Sequence, residues 1–229
     1  MYLIIDTSSK KSLIVKVSKN NFKKKVFGSD FDHSEKLLIE ISKILKNKLN
    51  NLEGILVIAG PGSYTGLRVG IATSNALGYS LNLPIIEVNK LEWLAYLGTL
   101  NEKSRQICSI LSARHKFVFA GRYEYSEGLL KQKGEFFVGN INELLELIKK
   151  PTLFIVEDID ILKEIISESI LKKKLNSNFF NLKYINFYSE DSIKVLVDIS
   201  LNKLKNNKKR QIVRPLYIQK PNITYSKKK

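Results

Sequence analysis

The chain has 229 residues, 44% of them hydrophobic, 26% charged and 10% aromatic, the profile of a folded soluble protein too long to be a minimal module. No apolar run approaches the roughly 20 residues that cross a bilayer, and the start Met1-Tyr2-Leu3-Ile4-Ile5-Asp6 lacks the basic and apolar regions of a secretory signal, so the cytoplasm is the expected location. The net charge of +16 is uneven: ten basic and no acidic residues lie between Ile199 and Lys229, which leaves +6 on the first 198.

In chain order, alternating apolar positions in Tyr2 to Thr7, Ser12 to Ser18 and Phe22 to Val26 predict three short strands in a meander. In His33 to Lys48, residues Leu37, Leu38, Ile41, Ile44 and Leu45 fall within an arc of about 140°, which predicts an amphipathic helix with Asp32 or Ser34 as its cap. A buried strand is expected at Gly54 to Ala59, a helix at Thr65 to Leu81, a strand at Pro84 to Val88 and a helix at Leu91 to Leu100. The second half repeats the pattern. Strands are expected at Gln106 to Leu111, Lys116 to Tyr123 and Leu129 to Val138, then a helix at Asn142 to Lys149 and a strand at Leu153 to Val156. A helix at Ile159 to Lys172, a strand at Tyr184 to Phe187 and a helix at Asp191 to Leu204 complete it. Each half reads β-β-β-α-β-α-β-α, with no repeat at the residue level. This is an α/β chain on the two-lobed plan of actin-like, sugar-kinase and heat-shock ATPase folds, which bind nucleotide between the lobes. The expected division is an N-terminal lobe over 1–103, a degenerate C-terminal lobe over 104–210 and a basic tail over 211–229.

Gly60-Pro61-Gly62-Ser63-Tyr64-Thr65-Gly66-Leu67-Arg68 joins a strand to a helix. Its glycines permit backbone closed to other residues, and Ser63 or Thr65 can cap the helix. A glycine-rich turn before a helix N-terminus suits an anion, but no Lys-Ser/Thr pair closes it as in a Walker A loop. Two readings stand: a tight structural turn, or a phosphate contact in which Asp6, Thr7, Gly62, Ser63, Thr65 and Arg68 take part. Within the helix, Gly66, Gly70, Ser74 and Gly78 are spaced four apart in a low ridge, which either meets another backbone across an interface or seats the helix on its own sheet. The lone Cys108, in an apolar stretch, is expected to be a buried inert thiol. His33 and His115 lie 82 positions apart, so no histidine metal pair and no Ser-His-Asp arrangement is expected, and their roles read as capping or surface. The basic stretch, Lys208, Lys209, Arg210 and Lys220 included, suits a polyanion. The prevalence of lysine, 32 of 38 basic residues, equally suits compositional drift.

The stretch Ile58-Ala59-Gly60-Pro61-Gly62-Ser63-Tyr64-Thr65-Gly66-Leu67-Arg68-Val69-Gly70 resembles the signature of the bacterial TsaB (YeaZ) family, the dimerisation subunit of the complex that forms threonylcarbamoyladenosine in tRNA. Ile4-Ile5-Asp6-Thr7-Ser8, His33-Ser34-Glu35-Lys36-Leu37-Leu38, Leu83 to Val88, Ser112-Ala113-Arg114 and, weakly, Arg214-Pro215-Leu216-Tyr217-Ile218 agree in order and spacing. Ser112 stands where members commonly have Asp, and Gln219 where they often have Arg.

The resemblance implies a non-catalytic scaffold that binds and activates a TsaD-type subunit, itself transferring a threonylcarbamoyl group to N6 of the adenosine beside the anticodon. A TsaE-type ATPase and tRNA join through the complex, and whether the chain forms a homodimer or stays a monomer when alone is left open. The helix surfaces carried by Leu37, Leu38, Ile41 and Leu45 and by the Gly66 ridge would meet the partner. No metal and no cofactor is expected on the isolated chain, with ATP or ADP at the subunit boundary left open. The residues point the same way: phosphoryl transfer needs carboxylates for a metal, and Ser112 leaves Asp6 without a counterpart. Beyond Gly139 there is no glycine, and Glu157 and Asp158 follow a strand where their charge would repel phosphate. Asp6 then reads as a relic bonded within its own hairpin. The alternative is an autonomous small-molecule kinase or ATPase on the same fold. The family's older glycoprotease grouping finds no metal pair here.

Overall fold

The computed structural model describes residues 1–19, 21–28, 33–100, 106–114, 116–171, 180–206 and 212–218. Strands β1 (Tyr2–Asp6), β2 (Ser12–Ser18) and β3 (Asn21–Phe27) form the expected meander. Helix α1 (His33–Leu45), β4 (Gly54–Gly60), α2 (Tyr64–Ser80), β5 (Ile85–Asn89) and α3 (Lys90–Gly98) follow. The sheet order is β3-β2-β1-β4-β5, antiparallel through the meander and parallel from β1 to β4 to β5. Of the two expected caps, Asp32 lies outside the described residues and Ser34 falls within α1.

The second half contains β6 (Gln106–Ser112), β7 (Val118–Ser126), β8 (Leu129–Gln132), β9 (Phe137–Gly139), α4 (Ile141–Glu146), β10 (Thr152–Val156), α5 (Ile159–Leu171), β11 (Phe180–Tyr184) and α6 (Glu190–Asn206). Its sheet runs β11-β10-β6-β7-β8, the same path as the first. Two details differ from expectation. The strand expected over Leu129 to Val138 is split around Gly134, whose φ of +72 turns the chain, and both pieces pair with β7. The strand expected at Tyr184 to Phe187 ends at Tyr184; Phe187 is apolar because it leaves the sheet and packs on Trp93, ring centroids 4.4 Å apart.

Alternation along the strands divides the core. Leu3, Ile5, Ile55 and Val57 point to one side, under Leu37, Ile41 and Leu45 of α1 and Leu67 and Ile71 of α2. Ile4, Leu56, Ile58 and Val88 point to the other, into a core shared with α3, α6 and the second sheet through Trp93, Ile107, Ile155 and Leu196. Trp93 is wholly buried, and its indole N–H donates to the Ser192 carbonyl at 3.0 Å. A third core lies between the second sheet and α4 and α5, with Cys108, Val118, Ala120, Leu144 and Phe154 in it. Burial pushes the Cys108 thiol up to about 12, as an inert thiol requires.

Residues 212–218, placed by the sequence in a basic tail, form a strap on the first lobe. The amide of Leu216 donates to the Ala59 carbonyl at 2.7 Å, and the Asn75 side chain is paired both ways with the Val213 backbone, at 3.0 and 3.1 Å. Asn75 of α2 is therefore partnered by the chain's own later segment, while Arg68 on the same helix stays exposed. Among the described residues no helix is long and apolar enough to cross a membrane.

Candidate functional site

A cleft of about 990 Å³ opens between the lobes, at the ends of β1, β6 and β10, where the fold places its hairpins and the glycine-rich turn. Its first wall is the β1–β2 hairpin. Asp6 closes β1 and is 2% exposed; its Oδ1 accepts from the Ser8 amide at 2.8 Å and the Ser8 hydroxyl at 2.5 Å. Its Oδ2 lies 3.6 Å from the ammonium of Lys90, which is equally buried. Lys90 also donates to the hydroxyls of Ser8, at 3.0 Å, and Ser9, and its Nζ lies 4.7 Å from the centroid of the Phe187 ring. Two donors of the ammonium are thereby hydrogen-bonded and its charge is paired with Asp6, with an aromatic face behind.

The glycine-rich turn packs against the same hairpin. A Cβ on Gly66 would stand 2.0 Å from the Thr7 carbonyl oxygen, and one on Gly62 would stand 2.4 Å from that of Ser8. Ser8 O accepts from the Ser63 amide at 2.7 Å, the Thr7 hydroxyl donates to Gly66 O at 2.6 Å, and Ser63 caps α2 by accepting from the Gly66 amide at 3.3 Å. The close approach that glycine permits here is made by the protein's own hairpin, so the tight structural turn is what the glycines serve. Of the six residues named for a phosphate contact, Asp6 and Thr7 are buried and internally bonded, while Gly62 and Ser63 line the cleft. Thr65 is exposed, and Arg68 lies outside the cleft lining. Arg68 stacks on Tyr64 at 4.0 Å and donates to the hydroxyls of Tyr64 and of Tyr217 on the strap.

The opposite wall holds Ser112 at the end of β6 and Glu157 and Asp158 after β10. Desolvation, with the charges of Asp6 and Asp158, raises the Glu157 carboxyl above its ordinary value against the pull of Lys90. A metal bridged between the two hairpins needs a free carboxylate oxygen on each; here Asp6 is bonded to Ser8 and paired with Lys90, the facing hairpin offers the Ser112 hydroxyl, and the carboxylates of that wall, Glu157 and Asp158, follow β10, where their charge opposes a phosphate. The residues do not fit that group. Among the described residues no cluster of three His, Cys, Asp or Glu could hold a metal. Lys90 was not legible as a site residue: it follows the cap Asn89 and precedes the buried run from Leu91, where its contact with a residue 84 positions earlier has no local signal.

The expected partner surface needs correction. Leu37, Ile41 and Leu45 are at most 2% exposed and belong to the protein's own core, because α1 lays that stripe on its sheet; Leu38, at 56%, faces outward. Gly66 and Gly70 seat on Thr7, Ser74 donates to Gly70 O at 2.8 Å, and Gly78 seats on Ile85, so the ridge lowers α2 onto its own lobe and is closed to a partner. The outward surface of these two packed helices is instead Leu38 and Ile39 with Ala72, Ala76 and Tyr79. The tail residues Lys208, Lys209, Arg210 and Lys220, and also His115 and Gln219, lie outside the described residues.

Comparison with known proteins matches residues 29–226 to the family described as "TsaD: tRNA N6-adenosine threonylcarbamoyltransferase". The tRNA threonylcarbamoyladenosine biosynthesis protein TsaB of Bacillus subtilis is 36% identical over 121 residues, 52% of this chain and 52% of that relative, so the match spans about half of its length. The TsaB of Buchnera aphidicola subsp. Schizaphis graminum is 31% identical over 161 residues, 65% of this chain and 72% of the relative. YeaZ from Pseudomonas aeruginosa superposes with a TM-score of 0.68 at 17% identity, over 95% of this chain and 99% of that one. A putative N-acetylmannosamine kinase from Listeria monocytogenes gives 0.53 at 10% identity, over 90% and 99%. The two-lobed fold is thus shared with both solved structures.

Proposed function

The chain belongs to the TsaB family of tRNA threonylcarbamoyladenosine biosynthesis proteins, and from that premise we propose that it is a non-catalytic scaffold subunit that binds and activates a TsaD-type threonylcarbamoyltransferase. The observation that carries the non-catalytic half is the state of Asp6. Both its oxygens are engaged, by Ser8 and by the Lys90 ammonium, and Ser112 supplies no second carboxylate. A metal would have to displace a buried lysine to reach it. The scaffold half rests on the family and on the exposed apolar surface of α1 and α2, which a helical partner face would cover. In this reading tRNA and a TsaE-type ATPase join through the complex in the cytoplasm, a second copy covers the same surface when the partner is absent, and ATP or ADP, where required, is held at the subunit boundary. The basic residues beyond α6 add counterion-releasing contacts to tRNA without sequence preference.

Tagged chain recovered from its host is expected to carry the TsaD-type subunit, and its depletion to lower threonylcarbamoyladenosine in tRNA. Calorimetry with ATP and magnesium on the isolated chain is the counter-test. Micromolar binding abolished by Asp6→Ala would favour the autonomous kinase or ATPase instead.

A further inference from the structure

At the end of the second sheet remote from the cleft, a pocket of about 240 Å³ is framed by Arg122, Lys133, Lys149 and Lys150, with Gln106 and Thr152 at the starts of β6 and β10. Arg122 occupies an unusual place. Along β7, Val118 and Ala120 point into the third core, and the next residue on that face is Arg122, paired across the sheet with Cys108. The guanidinium is near enough to Cys108 to oppose the burial that raises its thiol. Arg122 Nε is buried and has no hydrogen-bond partner. A buried guanidinium N–H costs free energy when it is unmatched, and natural proteins match it with a protein acceptor, an ordered water or a bound anion.

The neighbouring carboxylate is taken. Glu124 pairs with Lys133 at 2.5 Å and accepts from Gln106 at 3.3 Å, and the Lys133 hydrogen bond holds it below the usual carboxylate value. Lys133 is thereby neutralised, and Arg122, Lys149 and Lys150 are left as the cations of the pocket, one of them a planar guanidinium suited to the oxygens of a tetrahedral anion. We infer that this pocket binds a phosphate group, the terminal N–H groups of the Arg122 guanidinium donating to its oxygens while Lys149 and Lys150 neutralise the charge. The phosphate is either free or a phosphodiester of an RNA strand. The site is separate from the interlobe cleft and does not depend on the scaffold reading.

The test titrates the full chain at low salt with inorganic phosphate in one arm and a short single-stranded oligoribonucleotide in the other. Saturable binding is expected in at least one arm, weakened about tenfold or more by Arg122→Gln, since a charge-assisted bond is lost. The double variant Lys149→Gln with Lys150→Gln changes two exposed residues, so it keeps the fold when Arg122→Gln does not, and it is expected to weaken the same binding. Lys163→Gln on α5, 71% exposed at its side chain, is expected to leave binding unchanged. Response to phosphate alone identifies a free-anion site, and response to RNA with the same residue dependence identifies a phosphodiester site. Absence of saturable binding in both arms overturns the inference. So does binding indifferent to the pocket variants, or weakened equally by Lys163→Gln.

Discussion

Lys90 Nζ stands 3.6 Å from Asp6 Oδ2 with each side chain 2% exposed, so the cation beside the first hairpin's carboxylate is part of the chain. Removing one member leaves a charge buried without its partner. Lys90→Met is expected to destabilise the fold by about 3–5 kcal/mol, and adding Asp6→Asn to recover most of that loss. Urea unfolding of the two single variants and the double variant checks it; additive losses would mean that the two groups do not act as a pair.

Glu157 gives a pH signature. Its carboxyl is raised above 4.5, chiefly by desolvation, so the folded state holds this proton more tightly than the unfolded chain does. The contribution is fully present below about 4.5, and it is lost as pH climbs through the folded value. Glu157→Gln is accordingly expected to be more stable than the natural chain at neutral pH, with the gap closing toward pH 4. Thermal unfolding across that range reads it, and a gap constant with pH would refute the assignment.

The period-2 runs and amphipathic helices made the two lobes legible, because burial on one face writes itself into local sequence. The site was less legible. Asp6 and the glycine-rich turn stood out, but Lys90, Phe187 and the strap residues Val213 and Leu216 act across separations that no local pattern encodes. The α2 ridge shows the limit from the other side. Spacing reveals that Gly66, Gly70, Ser74 and Gly78 share a face, and it cannot tell whether that face meets the Thr7 backbone or another protein.

That ridge yields a contrast. A methyl on Gly66 meets backbone, the Thr7 carbonyl at 2.0 Å, whereas one on Gly70 meets the rotatable Thr7 hydroxyl at 2.3 Å. Gly66→Ala is expected to cost more than Gly70→Ala, with about 1–3 kcal/mol the usual range for overpacking. Circular dichroism melts of both variants settle the order.

The strap depends on Asn75. Asn75→Ala removes both bonds to the Val213 backbone and leaves a buried valine's peptide unmatched, a loss of about 1–3 kcal/mol by the usual cost of orphaned groups. Increased protease cleavage between 207 and 218 is the expected readout, and unchanged cleavage would show that the Leu216–Ala59 bond holds the strap alone.

The partner surface can be separated from the core that the sequence confused with it. Tyr79 is 80% exposed and Leu38 56%, and Ala76 is exposed between the flanks of α2, so a charge at any of them meets water in the isolated chain. Leu37, one residue away on α1, is 1% exposed and has nowhere to put one. Leu38→Glu and Ala76→Glu are therefore expected to leave the melting temperature within a few degrees, since exposed substitutions cost about 0.5 kcal/mol or less. Leu37→Glu is expected to unfold the lobe by burying an unpaired carboxylate. Pull-down of the TsaD-type subunit then discriminates: loss of capture by the folded Leu38→Glu and Ala76→Glu chains places the interface on this apolar surface, and full capture by both moves it elsewhere on the first lobe.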